Sequence, residues 1–484
     1  MNTEHDDNQT PRPAPGTSPH SPRRYDVSGL GMSGQAQGPR VSWGGSFWVV
    51  RAITRGSART KLYAILALAF ALRLAATISI AHPDQVPRSL AESDAPTYYV
   101  LAQHILDGTG YRYSADEPPT AKRTPGYPLL LAAVFKIAGT NFTAARVLQA
   151  VLDVVTTWLV YVLAVLLVGS RPAALLASLI YAVYPPAILS TTYVMTETLY
   201  TLLLVLSIVA ACYAFKLRSF ALCALSGIGL GLSTLTRPGA FLLPFALLAI
   251  ALLKKIWAAV SYERGVGRVL GSRRERGSAM GALVGLAVLC VAFALTMLPW
   301  ILRNQRDLGR FIPTSTLVGA NLYKGNHLAT RGAHFWATDS LLTPDLRARL
   351  AGATEAERDR MLEAEARRSI LAHKGEVALL TLQKIPRLWL NLGYGRPPSR
   401  QSIALAGAHL VLLGLAAFGA LWLPHDGRAL SVFPVTTIVF SSLVYLAVAS
   451  EVRFVFPLIP LLLPYSALGA AAIWRTARAR STKS

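Results

Sequence analysis

Apolar runs too long for a soluble core recur along the whole chain, and they constrain the fold more than any other feature. A run of about 18 or more apolar residues with few charges reads as a membrane-spanning helix, because about 20 residues of helix cross the hydrocarbon layer. Ten such spans are expected, at roughly 62–81, 147–168, 173–194, 198–215, 219–236, 239–253, 279–301, 403–423, 430–449 and 454–474. In all, 53% of the 484 residues are hydrophobic, so the bilayer is the solvent for most of the chain. The fold expected is an all-α polytopic membrane protein. The 239–253 span is short and carries Pro244, and Pro185 and Pro186 predict a kink in the 173–194 span.

The formal net charge is +23. In a soluble protein that would suggest nucleic acid as partner. Here the basic residues lie in the connections between apolar runs, where they set membrane orientation and meet anionic lipid headgroups. Nucleic acid is therefore excluded and membrane lipids are expected partners. With the N-terminus inside, the cytoplasmic segments hold Arg59, Lys61, Arg171, Lys216, Arg218, the cluster from Lys254 to Arg276, Arg428 and Arg475. The alternate short connections carry only Glu197, Arg237, Glu451 and Arg453. That asymmetry follows the positive-inside rule and places both termini in the cytoplasm. Two long segments, about 82–146 and 302–402, then lie outside. The three cysteines, Cys212, Cys223 and Cys290, fall inside apolar runs without metal-ligand spacing and read as buried thiols.

Three regions follow. Residues 1–60 form a cytoplasmic N-terminus, rich in Pro, Gly, Ser and charge over 1–45 and expected to be disordered. Residues 61–475 form the transmembrane domain with its two external segments, and 476–484 a short tail. The first apolar run begins near Leu62, too late for a cleaved leader, and is expected to be retained. In the first external segment, Tyr98, Leu101, Ala102, Ile105 and Leu106 recur at helical spacing, and 126–138 is apolar but short. Both read as juxtamembrane helices lying at the membrane surface. Residues 344–372 mix Arg, Glu, Leu and Ala in a soluble helical pattern.

On this topology one membrane face gathers Asp94, Lys122, Arg123, Arg146, Glu197, Arg237, Arg303, Arg306, Lys324, Glu451 and Arg453. A carboxylate among cations suits an anionic, phosphate-bearing substrate: the acid can take a proton and the cations can hold phosphate oxygens. Asp94 is the candidate base, and its place before Ala95-Pro96 equally suits a helix N-cap. Glu197, at the start of a span, is a second candidate acid; a carboxylate there is also favoured by the helix dipole. Glu92 and Asp94 form a Glu-x-Asp pair that a divalent ion could use, and otherwise no metal or cofactor is expected. Arg73 lies well inside a span, where an ionisable residue is a functional candidate by default, and no partner for it is legible. Glu451 and Arg453, two apart, do not share a helix face, so no intrahelical pair is expected. No P-loop, dinucleotide fingerprint, His-Glu-x-x-His or Gly-x-Ser-x-Gly occurs.

The ordered set Ser93-Asp94-Ala95-Pro96-Thr97-Tyr98-Tyr99, Gly108-Thr109-Gly110-Tyr111, Arg123-Thr124-Pro125-Gly126-Tyr127-Pro128, Ala145-Arg146-Val147-Leu148-Gln149, Met195-Thr196-Glu197, Thr236-Arg237-Pro238, Pro299-Trp300-Ile301-Leu302-Arg303-Asn304, Asn321-Leu322-Tyr323-Lys324-Gly325-Asn326 and Val452-Arg453-Phe454 resembles glycosyltransferase family 39. That family belongs to the GT-C superfamily, with the protein O-mannosyltransferases and lipid A aminoarabinose transferases. The resemblance runs over about 60–475. It implies a GT-C-like fold and an inverting glycosyltransferase. The sugar would come from a polyprenyl-phosphate donor and pass to an envelope lipid, glycan or protein at the outer face of a plasma membrane. It implies Asp94 as catalytic base with Glu197 assisting, and Arg123, Arg146, Arg453 and Lys122 near the donor phosphate. Tyr98, Arg237, Tyr323 and Asn326 would bind substrate. The acidic pair of the protein mannosyltransferases is here Asp94-Ala95, and their His-Pro-Pro is Arg123-Thr124-Pro125. The Ala-, Leu- and Arg-rich composition points to a GC-rich bacterium, whose inner membrane is the one expected. The alternatives are a transporter or flippase of lipid-linked sugars, and a non-catalytic membrane subunit.

Overall fold

The computed structural model describes residues 57–79, 94–263, 273–330, 338–392 and 397–481. The N-terminal stretch expected to be disordered lies almost wholly outside these residues, as do Glu92 and the last three residues. Among the described residues every regular element is helical. In chain order they begin with α1 (Ala58–Ile78), α2 (Ala95–Leu106), α3 (Gly126–Ala138), α4 (Phe142–Val168), α5 (Arg171–Ala182), α6 (Pro185–Ser190), α7 (Glu197–Leu217) and α8 (Phe220–Thr236). Next come α9 (Leu243–Glu263), α10 (Arg273–Leu308), α11 (Val318–Asn326), α12 (Pro344–Ala351), α13 (Glu355–Ala372) and α14 (Lys374–Leu390). The chain closes with α15 (Arg400–Ala420), α16 (His425–Leu430), α17 (Val432–Ala447) and α18 (Ile459–Ser481).

Among the described residues, seven segments are long and apolar enough to cross a membrane: 58–78, 142–168, 197–217, 280–308, 400–420, 425–447 and 452–479. The other three expected spans are shorter apolar helices, 171–182, 220–236 and 238–253. The expected kink at Pro185 is a full break. α5 stops at Ala182, Tyr184 is extended, and Pro185 opens α6 at the position where a missing N–H costs nothing.

The two helices expected at the membrane surface bury their apolar faces against each other and against the start of α4. Tyr98, Ala102, Tyr127, Leu131, Phe135 and Phe142 form that core. A second, smaller core joins α11, α12 and α13 through Tyr323, Leu342, Leu346, Leu350 and Leu362. Thr354 and Glu357 cap α13 reciprocally, which fixes where that helix begins.

Inside the bundle Arg73 has a partner. Its Nε donates to Asp153 Oδ2 at 2.5 Å, and its Nη1 donates to the carbonyls of Ala69 and Ala182, each at 2.9 Å. Tyr181 Oη donates to the other Asp153 oxygen at 2.7 Å. The cluster ties α1, α4 and α5 together with its charges neutralised internally. Asp153 is hidden in the sequence as one acid in an apolar run.

Candidate active site

The connection leaving α2 returns to the bundle at Thr124-Pro125-Gly126. Gly126 is required there by close approach: a Cβ would stand 2.8 Å from the Leu235 carbonyl oxygen and from Thr236 Oγ1. Thr124 Oγ1 donates to the Thr236 carbonyl at 3.1 Å. The end of α8, carrying Arg237, is thereby held beside the loop carrying Lys122 and Arg123. Tyr111 Oη bonds the carbonyls of Arg123 and Thr124 from behind.

These elements enclose a cavity of about 520 Å³. Its polar wall bears Asp94, Glu197, Lys122, Arg123, Arg237, Lys324 and Arg453, so among the described residues five cations face two carboxylates. Its apolar wall includes Phe241, Leu242, Phe440, Val444 and Val448, from the α8–α9 turn and from α17 and its C-terminal end. The charged groups form one network. Arg123 pairs with Asp94 Oδ1, Arg453 Nη1 reaches Asp94 Oδ2 at 3.4 Å and Glu197 Oε1 at 3.9 Å, and Arg237 Nη1 reaches Glu197 Oε1 at 2.9 Å. Aromatic faces hold the guanidinium groups: Arg123 lies over Tyr98 at 5.5 Å, and Arg237 and Arg453 over Phe454 at 4.7 and 5.5 Å. Asp94 sits at the N-cap of α2 but makes no side-chain cap bond, so its carboxylate is turned to the arginines. Burial, with the nearby Arg123 charge, lowers the Lys324 ammonium below the ordinary lysine range.

Seven of the ten residues to which the resemblance assigns a site role line this cavity: Asp94, Glu197, Tyr98, Lys122, Arg123, Arg237 and Arg453. Arg146, Tyr323 and Asn326 do not. Arg146 is buried and its Nε donates to the Thr192 carbonyl at 2.9 Å, while Gln149 bonds the carbonyls of Thr191 and Tyr193. That motif braces the loop leading to Glu197. Tyr323 and Asn326 lie on the side of α11 away from this cavity. Val318, Asn321 and Lys324 face the cavity, whereas Tyr323 packs into the core with α12 and α13 and donates to the Leu341 carbonyl at 3.0 Å. Asn326 donates to the Ala447 carbonyl at 2.9 Å. The i, i+3 spacing of 318, 321 and 324 was the available signal for the cavity-facing stripe. Glu451 and Arg453 pair at 2.6 Å, and the pair is not an intrahelical one. Glu451 precedes the 3-10 turn 452–454, so the helical-face rule does not apply to it.

Glu92, half of the proposed Glu-x-Asp metal pair, lies outside the described residues. Among the described residues no group of three or more His, Cys, Asp or Glu side chains is placed to hold a metal ion.

The described residues form an all-helical bundle of apolar helices with a cation-rich cavity at the ends of those helices. Residues 122–266 match the family described as dolichyl-phosphate-mannose-protein mannosyltransferase. The matched segment carries Lys122, Arg123, Arg146, Glu197 and Arg237; Asp94 and Arg453 lie outside it. No curated protein matches the chain. Among solved structures, the apo oligosaccharyltransferase of Archaeoglobus fulgidus is similar at 13% identity and a TM-score of 0.47, over 88% of this chain and 52% of that one. The Archaeoglobus fulgidus AglB structure with an inhibitory peptide and a dolichol-phosphate gives 12% identity and 0.45, over 88% and 52%. ArnT from Cupriavidus metallidurans bound to undecaprenyl phosphate gives 12% identity and 0.38, over 86% and 79%. The chain thus spans about half the length of the oligosaccharyltransferases, 52%.

Proposed function

We propose that this chain transfers a sugar from a polyprenyl-phosphate donor to a hydroxyl of an envelope lipid, glycan or protein, with inversion, at the outer face of a plasma membrane. One observation carries the reading: a single cavity joins a cation-rich wall around Asp94 to an apolar wall on α17 and the α8–α9 turn. The first suits a phosphate and the second a polyprenyl chain. The family matched over 122–266 is named for a dolichyl-phosphate sugar donor. The outer location rests on the distribution of Lys and Arg between alternate connections.

Donor phosphate oxygens entering between Arg123 and Arg453 compete with Asp94 for the same guanidinium donors. The exchange releases the carboxylate. The acceptor oxygen then attacks the anomeric carbon from the face opposite the phosphate. A new C–O bond forms, the bond to the phosphate oxygen breaks with its electron pair, and Asp94 takes the acceptor proton. Phosphate is a good leaving group, so placement and charge stabilisation do most of the work. Glu197 holds Arg237 and shares Arg453, which keeps both cations at the cavity wall.

The test is Asp94→Asn. Transfer of labelled sugar should fall roughly 10²–10⁴-fold, the contribution of a positioned base, while binding of the polyprenyl phosphate persists. Undiminished transfer by this variant removes Asp94 from the chemistry.

A further inference from the structure

A further acid, Glu355, stands just behind the cation-rich wall, and the donor-phosphate reading gives it a task. Glu355 is the first residue of α13, more than 230 positions along the chain from the loop that bears Lys122 and Arg123. Its Oε2 accepts from Thr120 Oγ1 at 2.6 Å, and its Oε1 accepts from the Ala121 backbone N–H at 2.8 Å. Oε1 also accepts from Thr316 Oγ1. Thr316 N–H in turn donates to the Ala121 carbonyl at 3.0 Å. One carboxylate therefore gathers two chain segments at the residues immediately before Lys122 and Arg123. Thr120 and Ala121 are buried, and buried polar groups need hydrogen-bond partners. Glu355 itself lines a separate cavity on the far side of this loop, with Thr316 and Lys122. It does not line the cavity holding Asp94.

We propose that Glu355 is a positioning residue: a latch by which α13 holds the 120–123 loop so that Lys122 and Arg123 present their charges to the donor phosphate. The inference rests on the donor-phosphate reading. It has a sign that distinguishes it from plain electrostatics. A carboxylate near an anion site repels the anion, so if Glu355 acted only through its charge, removing it would tighten phosphate binding. If it acts as a latch, removing it loosens the loop and weakens binding, because small displacements of positioned groups cost on the order of 10²-fold.

The experiment measures equilibrium binding of undecaprenyl phosphate to the full-length protein in detergent, for wild type, Glu355→Ala, Glu355→Gln and Thr316→Val. The latch predicts at least a tenfold loss for Glu355→Ala. Glu355→Gln should recover most of it, since its amide oxygen still accepts from Ala121 N–H and its charge is gone. Thr316→Val, which deletes one bond to the same carboxylate at nearly constant shape, should lose affinity in the same direction by a smaller factor. It keeps the inference testable should Glu355→Ala fail to fold. Unchanged or tighter binding by Glu355→Ala, or by Thr316→Val where the alanine variant is not recovered, overturns the latch. A wild-type protein that binds no undecaprenyl phosphate overturns the donor-phosphate reading, and the latch with it.

Discussion

Two acid–arginine clusters sit in this bundle, built from the same residue types and serving different ends. Asp153 and Arg73 are sealed between α1, α4 and α5, with side-chain exposures of 1% and 0%. Every strong partner there comes from the protein itself: Tyr181, two backbone carbonyls and each other. Asp94 and Arg453, at 14% and 17%, line a cavity instead. In the first cluster one arginine balances one acid. In the second, among the described residues five cations share a cavity wall with Asp94 and Glu197, and even with Glu451 paired to Arg453 a cation surplus remains. A neutralised buried pair holds helices together; a cation surplus on a cavity wall waits for an anion. The sealed pair also gives Arg73 the partner that was not legible in the sequence.

This contrast can be broken. The largest expected effect is on Asp153→Ala, which leaves Arg73 buried and unpaired and should cost about 3–5 kcal/mol of stability. Asp94→Ala should leave the thermal midpoint in detergent nearly unchanged, since surrounding arginines can hydrate through the cavity. Equal destabilisation by the two would erase the distinction. Next is Gly126→Ala, whose added methyl group meets the Leu235 carbonyl at 2.8 Å. Overpacking of this kind costs about 1–3 kcal/mol, and transfer should fall with it because Arg123 and Arg237 are registered across that contact. A stable, fully active variant would show that the contact does not set the cavity.

Arg453→Lys keeps the charge but cannot serve Asp94, Glu197 and Glu451 together. Loss of one charge-assisted bond, roughly 1.5 kcal/mol, predicts about tenfold weaker binding of polyprenyl phosphate. Unaltered affinity would assign the phosphate to other cations. The smallest effect concerns Lys384 on α14, which bonds the carbonyls of Leu446 and Val448 at the end of α17 and Asn326 Oδ1. Burial lowers its ammonium from 10.5 to about 8. Between those values the unfolded chain binds more protons than the folded one, so stability rises with pH across about 8 to 10.5 and is lower below that window. The difference between the thermal midpoints of wild type and Lys384→Met should change only across that window; parallel pH profiles would refute it.

Much of the fold was legible because apolar length and basic connections are linear properties. The ten expected spans all meet helices, and the break at Pro185 follows from proline's own geometry. The site was partly legible. Asp94, Arg123, Glu197, Arg237 and Arg453 stand where charge interrupts apolar sequence, so they were visible one by one. Asp153 and Glu355 were not: the first is a single acid in a hydrophobic run, and the second is one of several acids in a soluble-looking helix. Tyr323 and Asn326 share a segment but not a face with the cavity-lining Val318, Asn321 and Lys324, because a nine-residue helix such as α11 can be turned either way until its neighbours are known.

From the sequence alone came the solvent of the chain, the order of its apolar helices, and the residue types that could meet an anionic lipid. Those follow from transfer free energies and chain-local periodicity, which need no partners. The tertiary structure alone decided which acids are sealed and which are open, which face of α11 meets the cavity, and which distant carboxylate grips the 120–123 loop. Such choices depend on hydrogen-bond distances between residues separated by tens to hundreds of positions, and no local pattern encodes a distance of that kind.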